Sequence, residues 1–352
     1  MKMRVRGRRW ILLLFGACLL YRAGRRSREP AGASAAADAR WNSSARLLLL
    51  IWTHPFGVYR PLPDCWARFN IAGCVLTDSW PAYPYADAVV VHHREIADGD
   101  ADLPPEPRPP HQKWIWMNYE SPTNTYALPR VEGAFNLTMT YRTDSDIFLP
   151  YGYLVPRTSA SALNPRPLRV RSREQVLRPR LLAWVVSNWS PSHARVLFYY
   201  MLRRYVRVDV FGRAGRPVPG GDVVRILEYY QFYLALENSQ HTDYITEKLW
   251  NAVLAGAIPV VLGPPRRNYE RFLPPQAFIH VDDFPTVREL AQYLVTVSHS
   301  SAQLMQHLEW RERYSVHVPP FWDEHYCTAC RAARKTKGQT TVVRHITQWF
   351  ES

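Results

Sequence analysis

Long apolar runs are missing from this chain. The longest, Trp10–Tyr21 (WILLLFGACLLY), has twelve residues. As a helix it reaches roughly 18 Å, against a hydrocarbon core of roughly 30 Å. Such a run leaves room for one short anchor at the amino terminus. Cysteine is scarce, with five in 352 residues, too few for a dense disulfide scaffold. Acidic residues are also short: 30 Asp and Glu face 44 Lys and Arg, for a net charge of +14. The first thirty residues hold nine Lys/Arg and one acid, contributing +8 and leaving +6 for the rest. The basic character is therefore largely terminal. Neither a basic face with interleaved aromatics nor a known nucleic-acid module is present, so a nucleic-acid partner is not expected. No internal repeat stands out.

What remains is a chain that is 47% hydrophobic and rich in Trp and Tyr, enough for about two domains. Residues 1–9 read as a tail and 10–21 as an uncleaved signal anchor with snorkelling arginines. A cleaved signal peptide is the alternative, but YRAGRRSR follows the apolar run where small residues would be needed. Residues 22–45 hold a stretch rich in Ala, Gly and Ser that cannot bury a core and read as a stem. Cys18 falls in the anchor and is expected to be unpaired. The other four cysteines form two clusters, Cys65/Cys74 and Cys327/Cys330. A four-thiolate zinc site is the rival to disulfides, but the gap between Cys65 and Cys74 fits zinc poorly. Three disulfide pairings stay open. Glycosylation sequons begin at Asn42, Asn136 and Asn188.

The segment Leu236–Gly263 (LENSQHTDYITEKLWNAVLAGAIPVVLG) is the most informative. Thr246 is placed to cap a helix whose Leu249, Ala252, Val253 and Gly256 share one face. Gly256 suits the helix end, and Ile258–Leu262 reads as a buried parallel strand. Glu247 and Lys248 then occupy the first helical turn, where backbone N–H groups and the helix dipole favour an anion. Further buried strands are expected at Leu47–Thr53, Ala88–His92, Trp114–Asn118, Leu181–Val186 and Val206–Phe211, with a helix over about Ser192–Tyr205. Strand–helix alternation in both halves predicts two α/β domains with parallel sheets, 46–165 and 178–352, joined near Thr158–Pro179. Ligands of such sheets bind beyond the carboxyl ends of the strands.

This segment resembles the donor-binding motif of the α-1,3-fucosyltransferases. Other blocks agree in order: AVVVHHREI (Ala88–Ile96), WMNYESPTNT (Trp116–Thr125), YRTDSDIFLPYGYL (Tyr141–Leu154), WVVSNW (Trp184–Trp189), VDVFGR (Val208–Arg213) and FIHVDDFP (Phe278–Pro285). The likeness runs from about Leu47 to Ser352, with the myeloid-type branch nearest. It implies a GT-B glycosyltransferase, two Rossmann-like domains facing a cleft. The amino-terminal domain would take the acceptor and the carboxyl-terminal one GDP-fucose. It implies inverting transfer of L-fucose from GDP-β-L-fucose to the GlcNAc 3-OH of glycoprotein and glycolipid lactosamines.

Residue by residue, the resemblance makes Glu120 of NYESP the catalytic base. It implies donor contacts from Tyr151, Ser187, Asn188, Arg195, Tyr233, Asn238, Tyr244, Glu247 and Lys248. Lys248 and Arg195 would meet the diphosphate, and Glu247 the ribose. His93, Arg94 and Glu95 fall on the acceptor side. His92 and His93 read as adjacent strand residues facing opposite ways, hence as structural. Arg94 implies a Galβ1,4GlcNAc (type 2) acceptor, giving Lewis X or sialyl Lewis X products. Val58, after the HPFG-like segment, departs from the family, where that position can carry a polar acceptor-binding residue. The resemblance favours Cys65–Cys327 and Cys74–Cys330. It also implies a type II Golgi membrane protein with a lumenal catalytic part, glycosylated at Asn42 and Asn136 but not at donor-side Asn188. Asp144-Ser145-Asp146 has the form of a GT-A metal motif, yet reads as turn-forming aspartates. No metal site or cofactor is implied; a divalent cation would at most shield the diphosphate.

Overall fold

The computed structural model describes residues 46–157 and 178–352. The expected tail, anchor and stem, with Cys18 and Asn42, lie outside the described residues, as does most of the expected joint at Thr158–Pro179. No helix among the described residues is long and apolar enough to cross a membrane.

Two parallel sheets dominate. The first comprises β1 (Leu47–Ile51), β2 (Cys74–Thr77), β3 (Ala88–His92), β4 (Lys113–Asn118), β5 (Leu137–Thr140) and β6 (Ile147–Phe148), in the order β2-β1-β3-β4-β5-β6. Every residue of β3 and β4 is buried, as expected for strands covered on both faces. A short strand β7 (Tyr153–Pro156) follows. The second sheet holds β8 (Arg180–Val185), β9 (Asp209–Phe211), β10 (Tyr230–Leu236), β11 (Ile258–Leu262) and β12 (Ile279–His280), ordered β12-β11-β10-β8-β9. A last strand, β13 (Tyr314–His317), pairs antiparallel with β7 and ties the lobes together.

Local chemistry explains the central helix, Glu247–Ala255. Thr246 caps it, and Gly256 closes it at φ 77°, donating to the Ala252 and Val253 carbonyls. Trp250 is buried beside Leu249, Ala252 and Val253, so the buried face is wider than the periodicity indicated. Elsewhere the boundaries contract. The helix expected over Ser192–Tyr205 spans Ala194–Leu202, and the strand expected at Val206–Phe211 is only Asp209–Phe211. That strand is an edge with one neighbour, and β8 pairs with it over only three residues, Ala183 to Val185.

The carboxyl-terminal tail does not stay with the second lobe. Helices Asp323–Lys335 and Ile346–Glu351 place Tyr326, Ala329, Cys330, Ala333, Ile346 and Phe350 in the first lobe's core. Disulfides Cys65–Cys327 and Cys74–Cys330 staple that return, closing loops of 262 and 256 residues. Replacing Cys65 and Cys327 together by serine is expected to cost about 2–5 kcal/mol. Thermal melts should show an earlier transition; an unchanged midpoint would mean that packing alone holds the tail.

Candidate active site

A cleft of about 450 Å³ opens at the carboxyl ends of β3 and β4, lined by His92 and Asn118. From the first lobe come Phe56, Arg94, Glu120 and Tyr126; from the second comes Glu247, with Phe321 and Trp322 of the returning tail. Glu120 lies two residues past the end of β4. Its Oε1 accepts the Tyr244 hydroxyl at 2.6 Å and the Ser121 N–H at 2.8 Å. A carboxylate of the first lobe is thus held by a tyrosine of the second, leaving further lone pairs for a proton.

The second lobe's charged groups gather at the start of the Glu247–Ala255 helix. Lys248 Nζ lies 2.8 Å from Thr246 Oγ1, 3.1 Å from Glu247 Oε1 and 3.3 Å from Glu237 Oε2. Burial works against its charge, but Glu237 and Glu247 more than offset this and hold the ammonium above the usual lysine range. Glu237, 3% exposed, also accepts the Thr246 N–H and hydroxyl. Arg195 is 4% exposed. Its Nη2 donates to the Asn188 carbonyl at 2.5 Å, and its Nε meets no acceptor among the described residues. Burial lowers its pKa, while Glu237, Glu247, Tyr233 and Tyr244 act in the opposite sense. Glu237 and Glu247 act on both Arg195 and Lys248, so the two cations share one electrostatic neighbourhood, and paired cations of this kind suit a diphosphate.

Other expected donor residues fall around this centre. Tyr151 lines the cleft and donates to the Tyr119 carbonyl. Tyr233 is buried in β10. Ser187 and Asn188 are exposed just beyond β8. Asn238 Oδ1 lies 3.0 Å from Ser239 Oγ.

On the acceptor side, β3 ends at His92 and a helix begins at His93, so strand alternation does not govern this pair. His93 Nδ1 accepts the Trp116 indole N–H at 3.1 Å, leaving Nε2 to donate to the Tyr126 carbonyl at 2.7 Å. Burial, with His92 adding to it, lowers its pKa to about 4. The fold holds the ring neutral, whereas the unfolded chain binds a proton below about 6.5. Stability contributed by His93 is thus complete above that pH. It should fall as pH drops toward about 4, a loss of order 3 kcal/mol. Denaturant melts at pH 7 and pH 4.5 test this, with a shallower pH dependence in His93→Gln.

Arg94 lies over the Tyr126 ring at 5.6 Å and pairs with Asp98 at 3.2 Å. Glu95 sits behind the wall rather than on it. It accepts the Phe56 N–H at 2.6 Å and contacts His92 Nδ1 at 2.6 Å. In doing so it fixes the Pro55–Gly57 turn, where Phe56 takes φ 59° and projects, 68% exposed, beside Val58. Asp144 pairs with Arg142, and Asp146 accepts the Thr138 N–H and hydroxyl. Both aspartates are engaged within the fold.

Two family models match in chain order: "Fucosyltransferase, N-terminal" over residues 44–152 and "Glycosyltransferase family 10 (fucosyltransferase) C-term" over 176–349. The chain belongs to glycosyltransferase family 10. Among family members, Alpha-(1,3)-fucosyltransferase 4 of Bos taurus is 45% identical over 343 residues, covering 86% of this chain and 85% of that one. The human 4-galactosyl-N-acetylglucosaminide 3-alpha-L-fucosyltransferase FUT5 is 47% identical over 309 residues, covering 86% and 80%. Enzyme 9 of the same description, from Mus musculus, is 44% identical over 303 residues, covering 86% and 81%. In fold the chain is similar to a crystal structure of an alpha1,3-fucosyltransferase with GDP-fucose. That match has a TM-score of 0.53 at 17% identity, covering 85% of this chain and 92% of the other.

Several residues of this family-10 site escaped sequence reasoning. Asp243, 3% exposed and at φ 61°, accepts the Thr143 N–H and hydroxyl across the lobes. Within its own lobe it accepts from Asn268 and Arg271. Left-handed backbone is tolerated by Asp, and here it aims Tyr244 at Glu120. Ser239–Ser121 (2.7 Å) and His241–Thr123 (2.6 Å) add two more links between the same loops. The only signal in the sequence was the polar density of Glu237–Asp243, which does not say which partner each residue meets.

Proposed function

We propose that this protein is an inverting α-1,3-fucosyltransferase of GT-B architecture. It transfers L-fucose from GDP-β-L-fucose to the GlcNAc 3-OH of type 2 lactosamine, making Lewis X and sialyl Lewis X structures. The observation that carries this reading is the convergence on one cleft of Glu120, from the first lobe, with Glu247, from the helix start of the second lobe, where Lys248 is the next residue. The names of the relatives support fucose transfer to an N-acetylglucosaminide acceptor, and the fucosyltransferase solved with GDP-fucose supports the donor.

Glu120 takes the proton of the acceptor hydroxyl as its oxygen attacks the anomeric carbon. The bond from that carbon to the diphosphate oxygen breaks, and GDP departs with the electron pair. Lys248 and Arg195 stabilise the charge that develops on the diphosphate. One displacement inverts the centre, and GDP needs no protonation to leave. Glu247 is suited to accept hydrogen bonds from ribose hydroxyls. No cofactor takes part; a divalent cation would at most shield the diphosphate. Arg94 and the Phe56–Val58 turn, set on the opposite wall, are assigned to the acceptor.

The short apolar run at Trp10–Tyr21, the stem and the two disulfides support a type II Golgi membrane protein with its catalytic lobes in the oxidising lumen. Asn42 and Asn136 are assigned as glycosylated and Asn188 as free, since a glycan beside Arg195 would obstruct the donor. The test is to incubate the full-length protein with GDP-fucose, GDP-mannose and UDP-sugars against type 1, type 2 and sialylated type 2 lactosamines. Fucose on the 3-OH of type 2 acceptors is expected. Absence of both GDP binding and fucose transfer would overturn the assignment.

A further inference from the structure

The loops that follow β1 and β2, residues 52–60 and 78–85, lie at the carboxyl edge of the first sheet. The sheet order puts them next to β3 and β4, where the catalytic cleft opens. Both loops carry exposed aromatic rings: Phe56, Tyr59, Trp80 and Tyr85 are each more than half exposed. Isolated surface aromatics need no explanation, but several from two adjoining loops make the kind of patch that marks a ligand surface.

Trp80 is built as a platform. Its indole stacks on Trp52, with ring centroids 4.6 Å apart and planes 12° from parallel. Its Nε1 donates to the Trp52 carbonyl at 3.1 Å. The one donor of the indole and one of its faces are thus engaged within the fold. The rest of the side chain meets water, at 54% exposure. Trp52 is itself held, with Tyr83 at 5.7 Å and its own Nε1 donating to the Asp102 carbonyl at 2.7 Å. Tyr59 repeats the arrangement. Its ring, 75% exposed, lies 4.5 Å from buried His54, whose Nε2 contacts Asp78 Oδ2 at 3.1 Å. The two supports, Trp52 and His54, stand two residues apart in the chain, so their Cα atoms are at most about 7 Å apart.

Val58 and Arg60, on either side of Tyr59, line the catalytic cleft. This segment is therefore a rim, with the cleft on one side and the stacked rings on the other. From β4, which leads to Glu120, to β2, which leads to Trp80, there are three strand spacings, about 14 Å. One lactosamine disaccharide falls short of that span, and a second repeat unit covers it.

We infer, on the reading of the cleft as the place of fucose transfer to lactosamine, that this aromatic shelf is an extended acceptor subsite. The neutral glycan chain beyond the reacting disaccharide stacks on Tyr59 and Trp80. A pyranose ring presents an apolar face of C–H groups and a polar edge of hydroxyls. Flat aromatic faces take the first and leave the second in water. Asn136 precedes β5 at the opposite edge of the sheet, so a glycan there leaves the shelf open.

The test compares N-acetyllactosamine with a hexasaccharide of three such units, on the full-length protein in mild detergent. Each serves as acceptor in steady-state kinetics and as ligand in calorimetry without donor. The variants are Trp80→Ala and Tyr59→Ala, with Tyr205→Ala, an exposed tyrosine of the second lobe, as control. The native KM for the hexasaccharide should lie about tenfold below that for the disaccharide, more than the threefold that three equivalent sites give by number. Trp80→Ala should bring the ratio down to that threefold, with kcat, the disaccharide KM and GDP binding unchanged. Tyr205→Ala should keep the native ratio. If Trp80→Ala does not fold, Tyr59→Ala, which removes a ring lying mostly in solvent, should still halve the ratio. No length advantage in the native protein, an equal loss on both acceptors, or an equal loss in the control would overturn the proposal. So would a dimer that Trp80→Ala dissociates in sedimentation, since a second copy would then occupy the shelf. Absence of transfer to either acceptor would overturn the fucosyltransferase reading alone. Calorimetry then decides the shelf: hexasaccharide binding that Trp80→Ala weakens supports it, and no binding overturns it.

Discussion

Glu120→Gln is expected to lose fucose transfer by about 10²–10⁴-fold in kcat while GDP binds as before. The amide is the same size as the carboxylate. Its carbonyl oxygen can still accept the Tyr244 hydroxyl and the Ser121 N–H that hold Glu120 Oε1. Geometry and lobe contact should survive; the capacity to take a proton does not. Steady-state kinetics with GDP-fucose and a type 2 lactosamine, beside calorimetry with GDP, separate the two readouts. Turnover close to native would remove Glu120 from the reaction. A parallel loss of GDP affinity would instead make it a structural strut between the lobes.

Lys248→Ala should act on stability and on donor binding together. Its ammonium is the counter-charge of Glu237, whose side chain is 1% exposed. Removing one partner of a buried pair leaves an uncompensated charge, at a cost of about 3–5 kcal/mol. A diphosphate would also lose a charge-assisted contact worth about 1.5–3 kcal/mol, or roughly 10–150-fold in GDP affinity at 1.4 kcal/mol per decade. The two effects come apart in Lys248→Ala with Glu237→Gln. Neutralising the orphaned carboxyl should restore most of the melting temperature, yet GDP should remain weakly bound. An unchanged GDP affinity in the single variant would exclude Lys248 from the donor site.

The central unit was legible without coordinates because its signals are local. Thr246 and Gly256 cap a helix by backbone chemistry confined to a few neighbours. The all-buried strands Ala88–His92 and Ile258–Leu262 have the boundaries that their apolar runs mark. Elements whose limits depend on partners were less legible. β9 is short because the edge offers it one neighbour. Glu95 falls on the acceptor side by the family resemblance, which does not say which way its side chain turns. A helix that begins at His93 instead turns it inward, to the Phe56 N–H.

By itself the sequence determined the family, through ordered blocks that chance does not assemble, and the two-sheet α/β class. It also supplied the short list of groups able to take a proton or hold a diphosphate. Only the tertiary structure decided which of these meet. Tyr244 reaches Glu120 across 124 residues, Asp243 reaches Thr143 across 100, and the tail returns to the first core through Cys327 and Cys330. Such contacts form because burying the faces of both sheets and the returning tail brings distant segments together. That balance is struck over the whole chain, and no local pattern encodes it.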